Sequence, residues 1–219
     1  MSVADADRPE PADYDYWLFD LDGTLVDTEW AYKRELFDWV GTRLGRSFDD
    51  RQVELLWHGL GGDRDDLLAE WGVEPGEFWA VFDGLDDPRA RAEATFLYDD
   101  ARGVADVAAP VGIVTHCPEP ATERVLDALG VRDWFDTVVC CTDDLGWKPD
   151  PAPVEAAVAD LGLDPGGRDR GVLAGDGAGD VGAAYNAGLD AVHVERHDPR
   201  DRGHCVLGDR RVAALDALL

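Results

Sequence analysis

The side chains best suited to chemistry are carboxylates that follow apolar runs. Asp20 and Asp22 stand two positions apart after the run YWLF (residues 16–19), and Asp176 and Asp180 follow the run GVLAG. Carboxylates gathered at one place repel each other unless a cation neutralises them. Because a set of oxygen ligands favours Mg²⁺, this pattern predicts a magnesium site.

Two further side chains suit a phosphate bound beside such a cation. Thr115 ends the apolar run VGIVT, and Lys148 stands in the loop after the run VVCC. Lys148 is notable because the chain contains only one other lysine, Lys33. An ammonium group can meet a phosphate as a point charge, and a hydroxyl group can donate a hydrogen bond to it. These residues indicate a site for a phosphate ester.

The apolar runs predict the elements that position these side chains. We expect a strand at about 15–20 and further strands at PVGIVT, FDTVVCC, RGVLAGD and DAVHVE, separated by helices, with DRRVAALDALL as a closing helix. Alternating strands and helices form a parallel sheet through right-handed crossovers. Ligands bind beyond the carboxyl ends of such strands, which is where the acids, Thr115 and Lys148 fall.

A long helical segment interrupts this alternation. From 29 to about 108 the pattern is helical with glycine-rich breaks and shows no strand. We therefore expect an α/β fold, a Rossmann-like parallel sheet with helices on both faces and an inserted all-helical block. The predicted parts are a disordered acidic tail (1–13), the α/β core (14–28 and 109–219) and the helical insertion (29–108).

The motifs DLDGTL, a strand ending in Thr115, KPDP and GDGAGD occur in the order and spacing of the haloacid dehalogenase superfamily, which the sequence resembles over nearly its whole length. The resemblance implies that Asp20 is a nucleophile that becomes phosphorylated. It implies that Asp22 is the general acid for the leaving oxygen and then the base for water. Thr115 and Lys148 would bind the phosphoryl oxygens.

The same resemblance implies the metal ligands. Asp20, Asp176 and the backbone carbonyl of Asp22 would hold Mg²⁺, and Asp180 would be a ligand or would orient one. Asp22 also favours phosphoryl transfer over dehalogenation, because the dehalogenases of this superfamily lack an acid at that position. In relatives, the residue at the position of His116 lies near the phosphate. His116 could therefore contact the phosphate or have a structural role.

The inserted block resembles the helical cap of the phosphoglycolate phosphatase-like branch, and WHGLGGDRDD resembles the specificity loop of such caps. His58 and Arg64 are candidates to contact the non-reacting part of a substrate. An ordinary glycine-rich helix connection is an equally open interpretation of this loop. The other histidines, His193, His197 and His204, lack ligand spacing and are expected to be structural.

The resemblance predicts a Mg²⁺-dependent phosphatase that hydrolyses a small phosphate ester, with a phosphoglycolate-like substrate favoured. The alternatives are a sugar-phosphate phosphatase or phosphomutase of the same fold and, outside enzymes, a catalytically idle binding protein. A monomer and a homodimer are both compatible with the sequence.

Composition excludes several partners. The 219 residues include 47 acids and 20 bases, for a net charge of −27, which opposes binding to nucleic acid and to anionic membranes. No apolar run approaches the roughly 18 residues of a membrane helix. The four cysteines show no C-x-x-C spacing, which favours reduced thiols in a cytoplasmic protein. The scattered acids favour a halophilic surface over a docking surface for a basic partner.

Salt should therefore stabilise this protein. At molar salt the screening length shrinks to about 3 Å, so repulsion among the surface acids fades. We expect a higher melting temperature in 3 M KCl than in 0.1 M KCl. Equal melting temperatures would contradict the halophilic interpretation.

Overall fold

The computed structural model describes residues 13–164, 167, 169–202 and 206–219. Its strands are β1 (Tyr16–Phe19), β2 (Val26–Thr28), β3 (Thr95–Leu97), β4 (Val111–Thr115), β5 (Thr137–Cys140), β6 (Gly171–Gly175), β7 (Asp190–Val194) and β8 (Arg210–Val212). Its helices are α1 (Trp30–Leu44), α2 (Asp50–His58), α3 (Arg64–Glu70), α4 (Pro75–Leu85), α5 (Pro88–Ala94), α6 (Glu119–Leu129), α7 (Ala152–Asp160), α8 (Ala178–Asn186) and α9 (Pro199–Arg202).

Six strands form a parallel sheet in the order β5-β4-β1-β6-β7-β8, which confirms the expected α/β architecture. The central strand β1 is wholly buried. Its side chains alternate between two apolar clusters, with Trp17 and Phe19 in one and Tyr16 and Leu18 in the other. Because β1 lies between β4 and β6, its carboxyl end meets the ends of both neighbours.

Helices α1 to α5, which we call the helical block, lie between β2 and β3 in the sequence. They enclose an apolar cluster of their own, in which Phe37, Phe48 and Phe78 pack ring against ring. Local signals set the helix ends. Asp49 caps α2 by accepting a hydrogen bond from a backbone N–H group, and Gly59 ends that helix in a left-handed conformation.

The prediction that 29–108 contains no strand is wrong. Thr95–Leu97 forms β3, which pairs antiparallel with β2, and the hydroxyl oxygens of Thr28 and Thr95 lie 3.1 Å apart. Strand β3 is three residues long and its partner lies far away in the sequence. A local apolar pattern could not reveal such a pairing.

The predicted closing helix is also wrong. Arg210–Val212 forms β8, which extends the sheet beside β7, and a short 3-10 helix (Leu215–Ala217) follows. Leu215 and Leu218 are buried in a core cluster. The open edge of β7 offers unpaired backbone groups, and pairing with them outweighs the helical preference of the segment.

Several sequence-based expectations concern positions that the structure does not describe. The expected tail, apart from Asp13, lies outside the described residues, as do His204 and Cys205. The three described cysteines, Cys117, Cys140 and Cys141, form no disulfide. Within the described chain, no helix combines the length and apolar character needed to cross a membrane.

The core of the helical block depends on Phe78, which has no exposed surface. Replacing it with Ala should lower the free energy of unfolding by about 3–5 kcal/mol. The folded protein loses the free energy of burying the aromatic ring, and the cavity that remains costs the packing contacts of the neighbouring side chains. Phe96→Ala is the matched control, since Phe96 is 39% exposed. Urea denaturation of both variants checks this, and equal losses would contradict it.

Candidate active site

The turn after β1 sets the backbone of the site. The backbone N–H group of Asp20 donates to the carbonyl of Ala174 (2.9 Å), which fixes the end of β1 against β6. Gly23 follows with φ +80°, and a Cβ atom there would lie 2.6 Å from Oδ2 of Asp176. Only glycine suits this position, because the turn is left-handed and presses against a carboxylate.

Three buried carboxylates, Asp20, Asp176 and Asp180, converge at this turn, and we call them the acid cluster. Each offers an oxygen, and these oxygens all lie within 4.8 Å of one another. Asp180 reaches the cluster from the first turn of α8, where its Oδ2 accepts a hydrogen bond from the N–H group of Gly177 (2.9 Å). The structure thus brings together side chains that are widely separated in the sequence.

Lys148 joins the acid cluster as a buried cation. Its Nζ lies 2.6 Å from Oδ1 of Asp20 and 2.6 Å from Oδ1 of Asp180, and it donates to the carbonyl of Val114 (2.8 Å). These contacts tie the loop after β5 to the ends of β1 and β4 and to the start of α8. The strand-end placement expected for Lys148 agrees with the structure.

The charges of the acid cluster and of Lys148 do not balance. Burial raises the pKa of Asp20 to about 7, although the charge of Lys148 opposes this shift. Burial, together with the charges of Asp20 and Asp180, holds the pKa of Asp176 well above its usual range. Burial lowers the pKa of Lys148, but Asp180 and Asp20 raise it further, so its pKa lies above the ordinary value. Three carboxylates face one ammonium group. An all-oxygen donor set short of positive charge fits a divalent cation such as Mg²⁺.

Thr24 supports the acid cluster, and sequence reasoning missed it. Its Oγ1 donates to Oδ1 of Asp176 (3.1 Å) and accepts from the N–H group of Asp176 (3.0 Å). It has no exposed surface. The available signal was a hydroxyl residue directly after Gly23 in the motif DLDGTL.

Asp22 is not part of the acid cluster and forms an ion pair with the helical block. Its Oδ2 lies 3.0 Å from Nη2 of Arg91, whose Nη1 lies 2.6 Å from Oδ2 of Asp86. The Arg91 guanidinium also lies over the ring of Trp57, 4.8 Å from its centroid. Asp22 is therefore linked to the helical block through a buried arginine. Sequence reasoning missed Arg91, because nothing local distinguishes it from the other arginines of an acidic chain.

Thr115 and His116 line the end of β4. The Oγ1 of Thr115 accepts a hydrogen bond from the N–H group of Cys117 (3.0 Å), which leaves its hydroxyl proton for another acceptor. Nε2 of His116 accepts from the backbone N–H group of Lys148 (2.9 Å). Burial, helped by the charges of Lys148 and Arg64, lowers the pKa of His116 to about 2. His116 is thus a neutral support for the Lys148 loop.

Arg64 reaches the site from the start of α3. Its Nη2 donates to the carbonyl of Trp57 (3.2 Å). Burial lowers the pKa of its guanidinium, and the facing charges of Asp176 and Asp20 oppose that change. The helical block therefore places a cation whose charge acts on the acid cluster. The sequence-based expectation for Arg64, a contact with the non-reacting part of a substrate, stays a prediction.

His58 lies at the end of α2, farther from the acid cluster. Its Nε2 is 3.1 Å from Nζ of Lys33, and its ring centroid is 4.4 Å from that of His197. Nε2 of His197 in turn lies 3.9 Å from Oδ2 of Asp176. His197, expected to be structural, stands at the edge of the site, whereas His193 is fully buried and contacts the carbonyl of Asp176.

Comparison with known proteins agrees with this geometry. A family model described as a haloacid dehalogenase-like hydrolase matches residues 14–188. The pyrophosphatase PpaX of Bacillus velezensis is 28% identical over 194 residues, which cover 81% of each protein. The phosphoglycolate phosphatase of Yersinia pseudotuberculosis is 28% identical over 191 residues, which cover 80% of this chain and 78% of the relative. A solved phosphatase from Thermococcus onnurineus superposes with a TM-score of 0.65 at 27% identity, covering 92% of this chain and 94% of that one.

His58 should make stability sensitive to acid. Burial, with the charges of Lys33 and His197, lowers its pKa to about 2, whereas an unfolded histidine titrates near 6.5. Below about pH 6.5 the unfolded chain binds a proton that the folded chain does not, so stability falls as pH falls. The loss is up to about 2 kcal/mol between roughly pH 6.5 and 5.

The measurement is urea denaturation of the wild-type protein and of His58→Gln at both pH values. The variant should lose less stability on acidification, because the other titrating groups are common to both proteins. Identical losses would show that His58 is protonated in the folded state.

Proposed function

The chain belongs to the haloacid dehalogenase-like hydrolase family, and from that premise we propose that it is a Mg²⁺-dependent phosphatase that uses an aspartyl-phosphate intermediate. The observation that carries the proposal is the contact of Lys148 with both Asp20 and Asp180 beside Asp176. In this proposal the nucleophile, the cation and the metal ligands are buried residues that lie side by side. Such an arrangement suits a dianionic phosphate monoester.

The first step uses Asp20 and Asp22. A carboxylate oxygen of Asp20 forms a bond to phosphorus, and the bond between phosphorus and the ester oxygen breaks. Asp22 gives its proton to the departing oxygen, which leaves as an alcohol. Lys148, and Thr115 through its hydroxyl proton, stabilise the charge on the phosphoryl oxygens.

The second step returns the enzyme to its starting state. Asp22, now a carboxylate, takes a proton from a water molecule whose oxygen attacks phosphorus. The bond from phosphorus to Asp20 breaks, and inorganic phosphate leaves. In this proposal Asp20, Asp176, Asp180 and the carbonyl of Asp22 hold Mg²⁺, which offsets the repulsion between carboxylate and phosphate.

In this proposal the helical block is a cap. Its contacts with the site support that role, because Arg64 faces the acid cluster and Arg91 binds Asp22. A cap over the pocket excludes bulk water and strengthens the electrostatic interactions inside it. Arg64 and His58 are then the candidates to contact the substrate beyond its phosphate.

The names of the relatives make phosphoglycolate the first substrate to test. A phosphomutase of the same fold stays an alternative, and an idle binding protein is disfavoured by the complete set of Asp20, Asp22, Lys148 and Asp176. The cytoplasmic, halophilic setting stays a prediction from composition.

Asp20→Asn tests the mechanism. The amide is a poor nucleophile and weakens the metal site, so kcat for p-nitrophenyl phosphate with Mg²⁺ should fall by at least about 10³-fold. Asp127→Asn, on the exposed face of α6, is the matched control and should keep wild-type turnover. Removal of Mg²⁺ with EDTA should abolish turnover reversibly. Undiminished activity of Asp20→Asn would show that the mechanism is wrong.

A further inference from the structure

Arg196, in the segment that follows β7, has a side chain that is almost wholly buried. Its guanidinium group forms a two-pronged ion pair with Asp100, in which Nη1 lies 2.8 Å from Oδ2 and Nη2 lies 3.0 Å from Oδ1. The same group lies over the ring of Tyr98, 4.0 Å from its centroid. Contacts of these two kinds hold a planar guanidinium group in one orientation.

Asp100 is a fixed partner for this arginine. It lies in the 3-10 helix Asp99–Asp106, and its Oδ2 also accepts a hydrogen bond from the N–H group of Leu215 (2.7 Å). Burial raises the pKa of Asp100, but the hydrogen bonds from Arg196 and Leu215 outweigh burial, so its pKa lies below the ordinary value. Asp100 is therefore a carboxylate that is held from two sides and that anchors Arg196.

A further contact of Arg196 reaches the turn after β1. Its Nη2 donates to the carbonyl of Thr24 (2.7 Å). The N–H group of Leu25, which belongs to the same planar peptide, donates to the carbonyl of Leu21 (2.9 Å). This peptide is thus held at both of its polar groups. Because Gly23 gives the turn conformational freedom directly before it, the peptide would be less restrained without Arg196.

Thr24 passes this restraint to the acid cluster. Its Oγ1 is bound to both Oδ1 and the N–H group of Asp176, and the same oxygen lies 3.5 Å from Oδ2 of Asp20. The peptide that Arg196 holds begins at the Cα atom whose side chain carries this hydroxyl group. A rotation of that peptide would therefore disturb the hydrogen bonds that orient Asp176.

The positive charge of Arg196 does not by itself explain this set of contacts. Asp100 offsets that charge, so the pair contributes little net field at the acid cluster. What the arginine supplies is direction, because its planar fork bonds to two carboxylate oxygens and to a carbonyl at once. Lysine would keep the charge but lacks both the fork and the flat surface that lies over Tyr98. The contacts therefore indicate a positional role.

We propose that Arg196 is a positioning residue for the metal site and that it acts through Thr24 to orient Asp176 toward Mg²⁺. The proposal rests on the Mg²⁺-dependent phosphatase function proposed above. Mg²⁺ demands nearly ideal octahedral geometry, so a small rotation of one ligand weakens its binding. Loss of a contact that orients a metal ligand typically lowers metal affinity about 10–100-fold.

Arg196→Lys tests this role through metal binding. The affinity for Mg²⁺ is measured by isothermal titration calorimetry without substrate, and Asp176→Asn, which lacks one ligand, defines the binding of Mg²⁺ elsewhere on the acidic surface. The dissociation constant of Arg196→Lys should exceed that of the wild-type protein by about tenfold or more. An unchanged dissociation constant would overturn the proposal.

Turnover of p-nitrophenyl phosphate gives a second readout. The Mg²⁺ concentration that gives the half-maximal rate should rise by a similar factor in Arg196→Lys, whereas kcat at saturating Mg²⁺ should stay within a few-fold of the wild-type value. A merely structural role would lower kcat, through loss of folded protein, and would leave the half-maximal Mg²⁺ concentration unchanged. That result would overturn the proposal.

Arg46→Lys is the matched control. Arg46 also donates to a backbone carbonyl, that of Trp71 (3.1 Å), and also lies over an aromatic ring, that of Phe48 (4.6 Å from the centroid), but it belongs to the helical block. The substitution removes the same kinds of contact and should leave the affinity for Mg²⁺ at the wild-type value. An equal loss of affinity in both variants would show that the effect is not specific to Arg196 and would overturn the proposal.

Thr24→Val tests the route from Arg196 to the metal site. Valine has nearly the shape of threonine but lacks the hydroxyl group that contacts Asp176. In this background Arg196→Lys should change the dissociation constant for Mg²⁺ by less than about twofold, because the connection is already broken. The full effect of Arg196→Lys in this background would overturn the proposal.

Asp100→Asn makes the same test from the other side of the ion pair, and it replaces Arg196→Lys if circular dichroism shows that the lysine variant does not fold. Asparagine presents only one acceptor oxygen, so the two-pronged pair is lost while Arg196 stays in place. The affinity for Mg²⁺ should fall in this variant as well. A wild-type affinity would overturn the proposal.

The wild-type protein separates this proposal from the function on which it rests. If the wild-type protein and Asp176→Asn bind Mg²⁺ equally, the metal site itself is wrong, and the Mg²⁺-dependent function and the role of Arg196 are both overturned. If the wild-type protein binds Mg²⁺ more tightly than Asp176→Asn and Arg196→Lys matches the wild-type protein, the positioning role alone is overturned.

Discussion

The ion pairs of Lys148 with Asp20 and Asp180 are the interaction on which the site depends. Each N–O distance is 2.6 Å, and the lysine side chain is almost fully buried. Without this ammonium group, three carboxylates would be buried close together with no cation at the centre of the group. The cost of that arrangement would oppose folding, so the chain needs Lys148 for stability whatever else this side chain does.

The helical block supplies the remaining positive charge. Arg64 approaches the acid cluster from α3, and Arg91 binds both Asp22 and Asp86 from α5. Both guanidinium groups come from the inserted segment, whereas the acids of the cluster follow strands β1 and β6 or lie at the start of α8. The two parts of the chain are therefore held together by opposite charges at the place where the substrate would lie. Displacement of the helical block would change the electrostatic field at Asp22.

The sequence predicted the parts of the site that are locally encoded. Asp20, Lys148 and Asp176 follow apolar runs that are recognisable as buried strands, and parallel strands bring their carboxyl ends to one edge. Thr24 and Arg91 were missed, because their roles depend on partners 152 and 69 positions away. His197 was assigned a structural role for the same reason.

The errors of fold have a similar origin. Strand β3 exists because β2 lies beside it, and β8 because β7 leaves an open edge. Neither segment carries a strong pattern of its own. When a strand forms only because a partner strand lies beside it, the hydrophobic periodicity of the segment does not predict it.

The pairing of β2 with β3 brings together the two ends of the helical block. Thr28 and Thr95 are partners in register, so the points where the chain leaves for the helical block and returns from it are neighbours. A tight reverse turn could join them directly without disturbing the six-stranded sheet. The architecture thus permits whole insertions to be exchanged at this point, by evolution or by engineering, while the sheet that carries Asp20 and Asp176 stays unchanged.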